Sequence, residues 1–247
     1  QKSYVVFFLS KVDRNHIYET LGYGKYFTDN HLILPLVYAS NNNLKPLIDL
    51  SLGLNGLRLV WWGSFNKIHG LDVILSSLSV FKNTGGQNFT LDIFGVNYEK
   101  GKKYEDLASI LGVESLCNFN YNANFANGLL EKQLLKNKYH LSFGLFGSMK
   151  KSSSVISNKL VESLYYKIPN VNVNSPAIRD FENLDDAIYQ VPGVPQLLAE
   201  FLTKFQNDIL EDSLKIHKRI LIGSKVFNDN FSIKAFRNTL LRNYENM

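Results

Sequence analysis

Short apolar runs alternate along this chain with longer segments in which apolar residues recur at helical spacing. The runs predict strands at residues 4–9, 32–36, 57–62, 89–94, 116–119, 139–146, 169–173 and 186–191. The longer segments predict helices at residues 11–21, 71–81, 104–111, 129–136, 158–166, 194–206, 209–222 and 231–244, with a helical turn from Ser175. The first helix is expected to end at Gly22 and Gly24, and the polar stretch Ser40–Asn43 is typical of a linker.

Strands separated by helices of this length pair in parallel through right-handed crossovers. The strands are almost continuously apolar, which is typical of a sheet covered by helices on both faces. Residues 55–225 are therefore predicted to form a doubly wound α/β domain with a Rossmann-like parallel sheet.

The composition is that of a soluble globular protein, with 45% hydrophobic and 20% charged residues among 247. A single cysteine, Cys117, fits a reducing compartment and a buried, inert thiol. The excess of five positive charges is spread along the chain, as on solvated helix faces; a phosphate-rich ligand or an anionic membrane surface is the functional alternative. Since we find no signal peptide and no apolar run long enough to span a bilayer, a cytoplasmic location with peripheral membrane contact as an option is expected.

Ligands of open parallel sheets bind beyond the carboxyl ends of the strands, so the residues that follow each strand are candidates. Gly63, Ser64 and Phe65 follow one predicted strand, with His69 just before the next helix, and Gly95 follows another strand. Glycine lets a ligand approach the backbone, although a tight strand-to-helix turn also needs glycine.

A long polar loop after residue 146 leads directly into an apolar-striped helix. Ser157 is placed to cap this helix, which leaves amides near Asn158 free for an anion beside the Lys159 ammonium. Glu162 falls on roughly the same helical face, where it could accept hydrogen bonds from ribose hydroxyls. The spacing alone is equally that of a capped helix with a solvated Lys–Glu pair.

Several chemistries lose their main sequence signature. The chain has no Gly-x-Gly-x-x-Gly pattern, P-loop, Cys-x-x-Cys, His-Glu-x-x-His, Gly-x-Ser-x-Gly or Asp-x-Asp motif. We therefore expect no metal and no bound cofactor. The aromatic residues do not cluster with basic ones, so nucleic-acid binding is not expected.

Four blocks in order resemble a subgroup of the group 1 glycosyltransferases of GT-B fold. The blocks are Trp61–Asp72, Leu145–Gly147, Val155–Leu164 and Ser175–Arg179. They are similar to that subgroup's Trp-Gly-Thr-Phe…His-Gly, Gly-Ile-Phe-Gly, Val-Ile-Pro-Asn-Lys…Glu-Ala-Leu and Ser-Pro-Ala-Ile-Arg-Glu patterns. The resemblance covers residues 1 to about 245.

The resemblance implies the nucleotide-sugar-binding half of an enzyme that transfers a sugar to a saccharide or lipid-linked acceptor. It assigns the donor ribose to Glu162, the diphosphate to Ser157, Asn158 and Lys159, and the first glycine-rich loop to Gly63, Ser64 and His69. Residues 1–54 would be the end of an N-terminal domain and the linker, and residues 226–247 a C-terminal helix that packs either on that domain or on the main core. Residues Phe8–Arg14 resemble the last unit of that N-terminal domain, so the resemblance implies that the acceptor site and the catalytic side chain lie upstream of Gln1.

The chain also departs from the family pattern. Ser64 and His69 stand where the common motif has arginine and lysine, Ser154 where it has glutamate, Ser157 where the subgroup has proline, and Asp180 where it has glutamate. An inactive GT-B domain that serves as a binding or scaffold partner in polysaccharide assembly is therefore one alternative, and a nucleotide-sugar epimerase is another.

Overall fold

A computed structural model of the chain describes residues 6–21, 31–39, 49–52, 56–86, 88–148, 152 and 154–245. The strands are β1 (Val6–Phe8), β2 (His31–Ile33), β3 (Leu57–Trp62), β4 (Phe89–Phe94), β5 (Cys117–Asn120), β6 (Leu141–Phe143), β7 (Asn170–Val173) and β8 (Tyr189–Val191). The α-helices are α1 (Lys11–Leu21), α2 (Leu71–Asn83), α3 (Tyr98–Ile110), α4 (Leu129–Lys136), α5 (Asn158–Tyr165), α6 (Leu184–Ala187), α7 (Pro195–Glu211), α8 (Ser213–Val226) and α9 (Ile233–Glu245).

Six parallel strands form the main sheet in the order β5-β4-β3-β6-β7-β8. The chain builds outward from β3 in one direction and, after α4, outward from β6 in the other. This is the order of the doubly wound Rossmann fold, with its switch point between β3 and β6. The predicted fold class is confirmed.

Alternate side chains of β3 pack into two separate hydrophobic clusters of the core. Leu59 and Trp61 pack in a cluster with residues of α2 and α7, whereas Val60 and Trp62 pack in a second cluster with residues of α4. All four side chains are buried, which explains why the strand is apolar throughout its length.

A third cluster joins the two ends of the chain to α5. It contains Leu160 and Leu164 of α5 and Phe227 and Phe231 of a π-helical turn, with side chains from α1 and from residues 31–39 packed against them. The backbone N–H of Tyr38 donates to the carbonyl of Phe231 at 3.1 Å. Thus the π-helical turn packs on the main domain, while β1 and β2 form a separate two-stranded parallel sheet.

Most element boundaries fall within three residues of the predicted ones. Helix α7 ends five residues later than predicted, α8 lies four residues later at both ends, and the strand predicted at 186–191 is reduced to β8 because residues 184–187 form α6. Two further differences have a local cause. Helix α3 begins six residues earlier than predicted, because the Asn97 side chain caps it by accepting from the N–H of Lys100 at 2.8 Å. Strand β6 is much shorter than the predicted run 139–146, because the residues after Phe143 enter the loop that approaches α2. Neither the short helix α6 nor the π-helical turn was predicted from the sequence.

Some predictions lie outside the described residues, namely Gly22 and Gly24 as the end of α1 and Ser40–Asn43 as a linker. Among the helices of the described ranges, none combines the length and the apolar character required to cross a bilayer.

Candidate functional site

A cleft of about 460 Å³ opens at the switch point of the sheet. Its walls come from the loop after β3, the loop after β6, the start of α5 and the N-terminal segment. The lining residues are Leu9, Leu36, Trp62, Gly63, Ser64, Ile68, His69, Phe125, Leu145, Val155, Ile156, Ser157, Asn158, Lys159 and Glu162. A cleft beyond the carboxyl ends of β3 and β6 is the expected ligand position in this fold.

Two glycines allow the loops after β3 and β6 to touch. Gly70 has a left-handed backbone with φ of 61°, and a Cβ there would overlap the carbonyl of Phe146. A Cβ on Gly147 would overlap the backbone of Lys67 and Ile68. The N–H of Gly147 donates to the carbonyl of Ile68 at 3.1 Å, so the backbones of both halves of the sheet form one continuous wall of the cleft.

The start of α5 has backbone amides available for an anion. The Ser157 hydroxyl accepts from the N–H of Leu160 at 3.2 Å, and its carbonyl accepts from Leu160 and Val161. The next two amides, those of Asn158 and Lys159, have no acceptor among the described residues. Since the helix dipole adds partial positive charge at this end, the arrangement favours a bound anion.

Lys159 is a buried cation beside these amides. Its side chain is 4% exposed, and its Nζ has no hydrogen-bond acceptor within the described ranges. The ammonium lies 4.5 Å from the centre of the Trp61 ring. Burial lowers the pKa of Lys159 to about 7, against the raising effect of the Glu162 charge. A buried ammonium group without a hydrogen-bond acceptor is stabilised by any anion that enters the cleft.

Glu162 lies one helical turn deeper and is 8% exposed. The indole Nε1 of Trp62 donates to its Oε2 at 2.6 Å. Burial raises the pKa of Glu162 to about 7, and the Trp62 hydrogen bond and the Lys159 charge partly oppose that rise. One carboxylate oxygen is thus held by the protein, while the residue still lines the cleft.

The side chains that the loop after β3 presents to the cleft carry hydroxyl and imidazole groups, whereas its lysine, Lys67, is exposed and lies outside the cleft lining. His69 Nε2 and Ser64 Oγ are 3.3 Å apart, and Asn66 donates to the same hydroxyl at 3.0 Å. Burial, together with the nearby Lys159 charge, lowers the pKa of His69 to about 3. This imidazole is therefore neutral at physiological pH, and Lys159 is the cation of the cleft's lining.

The structure brings all but two of the predicted site residues to the cleft. Phe65 is instead buried, with its ring 5.3 Å from that of Trp61 and 5.8 Å from that of Tyr104. Gly95 is explained by the same packing, because a Cβ there would overlap the Phe65 ring. Neither residue is part of the cleft wall, and the packing of the Phe65 ring against Gly95 accounts for their burial.

Trp62 is the main residue that the sequence prediction missed. It lies at the carboxyl end of β3, immediately before Gly63, and it lines the cleft and binds Glu162. The strand-end rule could have selected it, but an apolar residue in an apolar run gave no reason to expect a polar contact.

A larger cleft of about 690 Å³ lies between α2 and α3. Its wall carries exposed groups of both signs, including Lys67, Lys103 and Asp106. It has no counterpart to the buried ammonium or the capped helix start, so we place the candidate site at α5.

Solved glycosyltransferases share this fold. A glycosyltransferase from Rickettsia africae ESF-5 has a TM-score of 0.73 at 14% identity and is matched over 98% of this chain and 63% of that one. Sucrose-phosphate synthase from Thermosynechococcus elongatus has a TM-score of 0.73 at 12% identity, over 99% of this chain and 58% of that one. HepE from Anabaena, solved in complex with UDP, has a TM-score of 0.71 at 11% identity, over 98% and 64%.

The doubly wound sheet with a cleft at its switch point defines an α/β domain of Rossmann type. More narrowly, the chain has the GT-B fold of these glycosyltransferases. It spans less than two thirds of the length of each of the three structures. No protein-family model matches the sequence, and no curated protein matches it significantly.

Proposed function

We propose that this chain is the donor-binding half of a cytoplasmic glycosyltransferase that uses a nucleotide-diphosphate sugar and a saccharide or lipid-linked acceptor. The observation that carries the proposal is the buried Lys159 ammonium, which has no acceptor among the described residues and lies beside two available amides at the start of α5. A diphosphate satisfies all of these donors at once.

The remaining residues of the cleft fit the rest of such a donor. Glu162 lies one turn below Lys159, where its free carboxylate oxygen can accept from ribose hydroxyls. In the loop after β3, Gly63 has no side chain and so allows the donor to approach the backbone, and Ser64 and His69 offer polar contacts to it. The apolar side chains of Leu9 and Leu36 cover the cleft from the N-terminal segment.

The same groups would favour departure of the diphosphate. When the bond between the sugar carbon and the phosphate oxygen breaks, its electron pair stays on that oxygen, and negative charge grows on the diphosphate. The helix amides and Lys159 are already oriented before the reaction, so they stabilise this charge without reorganisation. The acceptor oxygen bonds to the sugar carbon, and its proton passes to the departing diphosphate.

Binding of nucleoside diphosphates tests the proposal directly. Calorimetry with UDP, GDP, ADP and dTDP is expected to show micromolar to millimolar binding of at least one of them to this chain. Lys159→Met should weaken that binding by about tenfold or more, because a charge-assisted contact is lost. Lys132→Met removes an exposed lysine of α4 and should leave the affinity unchanged.

Two results would contradict the proposal. One is the absence of binding to every nucleotide of the panel, and the other is equal affinity of the wild type and Lys159→Met. Glu162→Ala provides an independent check, since an unchanged affinity would remove the ribose assignment.

The low positive charge of the cleft favours a second candidate, an inactive GT-B domain that binds a partner in polysaccharide assembly. Ser64 and the neutral His69 leave the loop after β3 without the two cations of the common family pattern. Release of nucleoside diphosphate from a donor sugar, measured on the protein together with its acceptor-binding half, separates the candidates. An inactive domain would bind the nucleotide without releasing it from the donor.

A further inference from the structure

Glu162 has an unusual partner for a buried carboxylate. The donor is the indole of Trp62, a residue 100 positions earlier in the chain, at the end of the central strand β3. Trp62 is 3% exposed and packs in the cluster that contains Val60 and Phe94. Because the indole ring is held by this packing, its N–H points in one fixed direction, and the hydrogen bond then fixes the position of Oε2.

This hydrogen bond also determines which oxygen of Glu162 faces a ligand. Oε2 accepts from Trp62 at 2.6 Å, whereas Oε1 has no partner among the described residues and belongs to a side chain that lines the cleft. We propose, building on the proposed donor site, that Trp62 is a positioning residue. By holding Oε2, it presents Oε1 to the ribose and so sets the preference for ribose over 2′-deoxyribose.

The charge state of Glu162 depends on the same contact. Within the described ranges, the titratable groups that interact with this carboxyl are Lys159 of α5 and Tyr38 of the N-terminal segment, and His69, which also lines the cleft, interacts with Lys159. Burial favours the protonated acid, and the Trp62 N–H and the Lys159 ammonium favour the carboxylate. Removing the N–H therefore raises the pKa of Glu162 further above its present value of about 7.

The decisive variant is Trp62→Phe, which keeps an aromatic ring and removes the donor. Affinities would be measured from pH 6 to 9 for the nucleoside diphosphate that the wild type binds best, for its 2′-deoxy counterpart and for inorganic diphosphate. At pH 8 we expect the ribose-to-deoxyribose ratio to fall by about tenfold, the change that corresponds to loss of one hydrogen bond to a charged group. The pH midpoint of the ratio should move upward, and inorganic diphosphate, which has no ribose, should bind as before.

Phe94→Leu is the matched control. Phe94 pairs with Trp62 across β3 and β4 and belongs to the same cluster, but its side chain has no group that could hydrogen-bond to Glu162. This variant loses comparable packing and should retain both the ratio and its pH midpoint. A folded Trp62→Phe variant with the wild-type ratio and midpoint would overturn the proposal.

If Trp62→Phe does not fold, the wild type itself provides the test. The chain has two tryptophans, so two indole N–H resonances are expected in a nitrogen-edited spectrum. One of them, that of Trp62, should change in Glu162→Gln and should shift with pH in the wild type as Glu162 titrates. Two indole resonances that are both unchanged in Glu162→Gln would overturn the proposal. Lack of nucleotide binding by the wild type would instead contradict the proposed function, so the two failures are distinguishable.

Discussion

At the residue scale, Lys159 and Glu162 are two buried ionisable groups on the same face of α5. Each is destabilised in its charged form by burial and stabilised by the other's charge. Buried charges of this kind are costly for folding, and proteins retain them mainly where a ligand or reaction uses them. The pair therefore predicts a measurable cost to the free protein.

This cost should appear as a minimum near pH 7 in the free energy of unfolding. The folded pKa of Glu162, about 7, exceeds its ordinary value of 4.5. The protonated acid therefore contributes its full share of stability below pH 4.5, and this contribution is lost as the pH rises through 7. The folded pKa of Lys159, also about 7, is below its ordinary value of 10.5, so stability rises as the pH increases from 7 toward 10.5. The acidic arm amounts to roughly 3 kcal/mol and the alkaline arm to roughly 5 kcal/mol.

Urea unfolding between pH 5 and 10 measures both arms. Glu162→Gln should flatten the acidic arm, and Lys159→Met should flatten the alkaline arm. Curves for these variants that run parallel to the wild-type curve would show that the two groups titrate as they do in water.

At the element scale, the loop contact between Gly70 and Gly147 holds the two halves of the sheet together at the cleft. Gly70→Ala should destabilise the chain by roughly 3 kcal/mol, because a left-handed alanine is strained and its Cβ would overlap backbone atoms. Gly112→Ala is the matched control, since Gly112 has a similar φ of 68° but open space around it. It should lose only about 1 kcal/mol, the cost of the backbone strain alone.

Chemical denaturation of both variants, with nucleotide binding as a second measurement, checks this prediction. Gly70→Ala should also lose affinity, whereas Gly112→Ala should not. Equal losses of unfolding free energy in the two variants would show that backbone strain alone explains the effect of Gly70→Ala and that the overlap with Phe146 adds nothing.

The sequence predicted elements well where local physics determines them. Strands β3 and β4 and helix α4 have the predicted boundaries. A strand that is buried on both faces is apolar throughout, and an amphipathic helix repeats its apolar residues at helical spacing, so both patterns are visible in the sequence. The Ser157 cap was also predictable, since capping is local. In contrast, the Trp62–Glu162 contact joins residues far apart in the chain, and the burial of Phe65 depends on Trp61, Tyr104 and Gly95 together. No local pattern reports such contacts.

At the scale of the whole molecule, the N-terminal segment and the end of the chain meet on α5. Phe231 is fully buried, its ring centre lies 5.0 Å from that of Phe181, and its carbonyl accepts from the N–H of Tyr38. Removing this ring should therefore loosen regions that are distant in sequence.

Phe231→Ala is expected to destabilise the chain by roughly 3–5 kcal/mol. Hydrogen exchange should become faster both in residues 31–39 and at the start of α5. The exposed Phe7, which is 54% accessible, provides the control, since Phe7→Ala should change stability by no more than about 0.5 kcal/mol. Faster exchange in residues 31–39 alone would contradict a shared cluster.

The hydroxyl of Tyr38 bonds to that of Tyr166, which in turn donates to Glu131 of α4 at 2.9 Å. Tyr166 directly follows α5, the helix that carries Lys159 and Glu162. A displacement of the segment that bears Tyr38 is thus transmitted, through two phenols and less than two turns of helix, to the groups that would grip a donor. The positions of the Lys159 and Glu162 side chains therefore depend on how firmly the segment that bears Tyr38 is held against Tyr166.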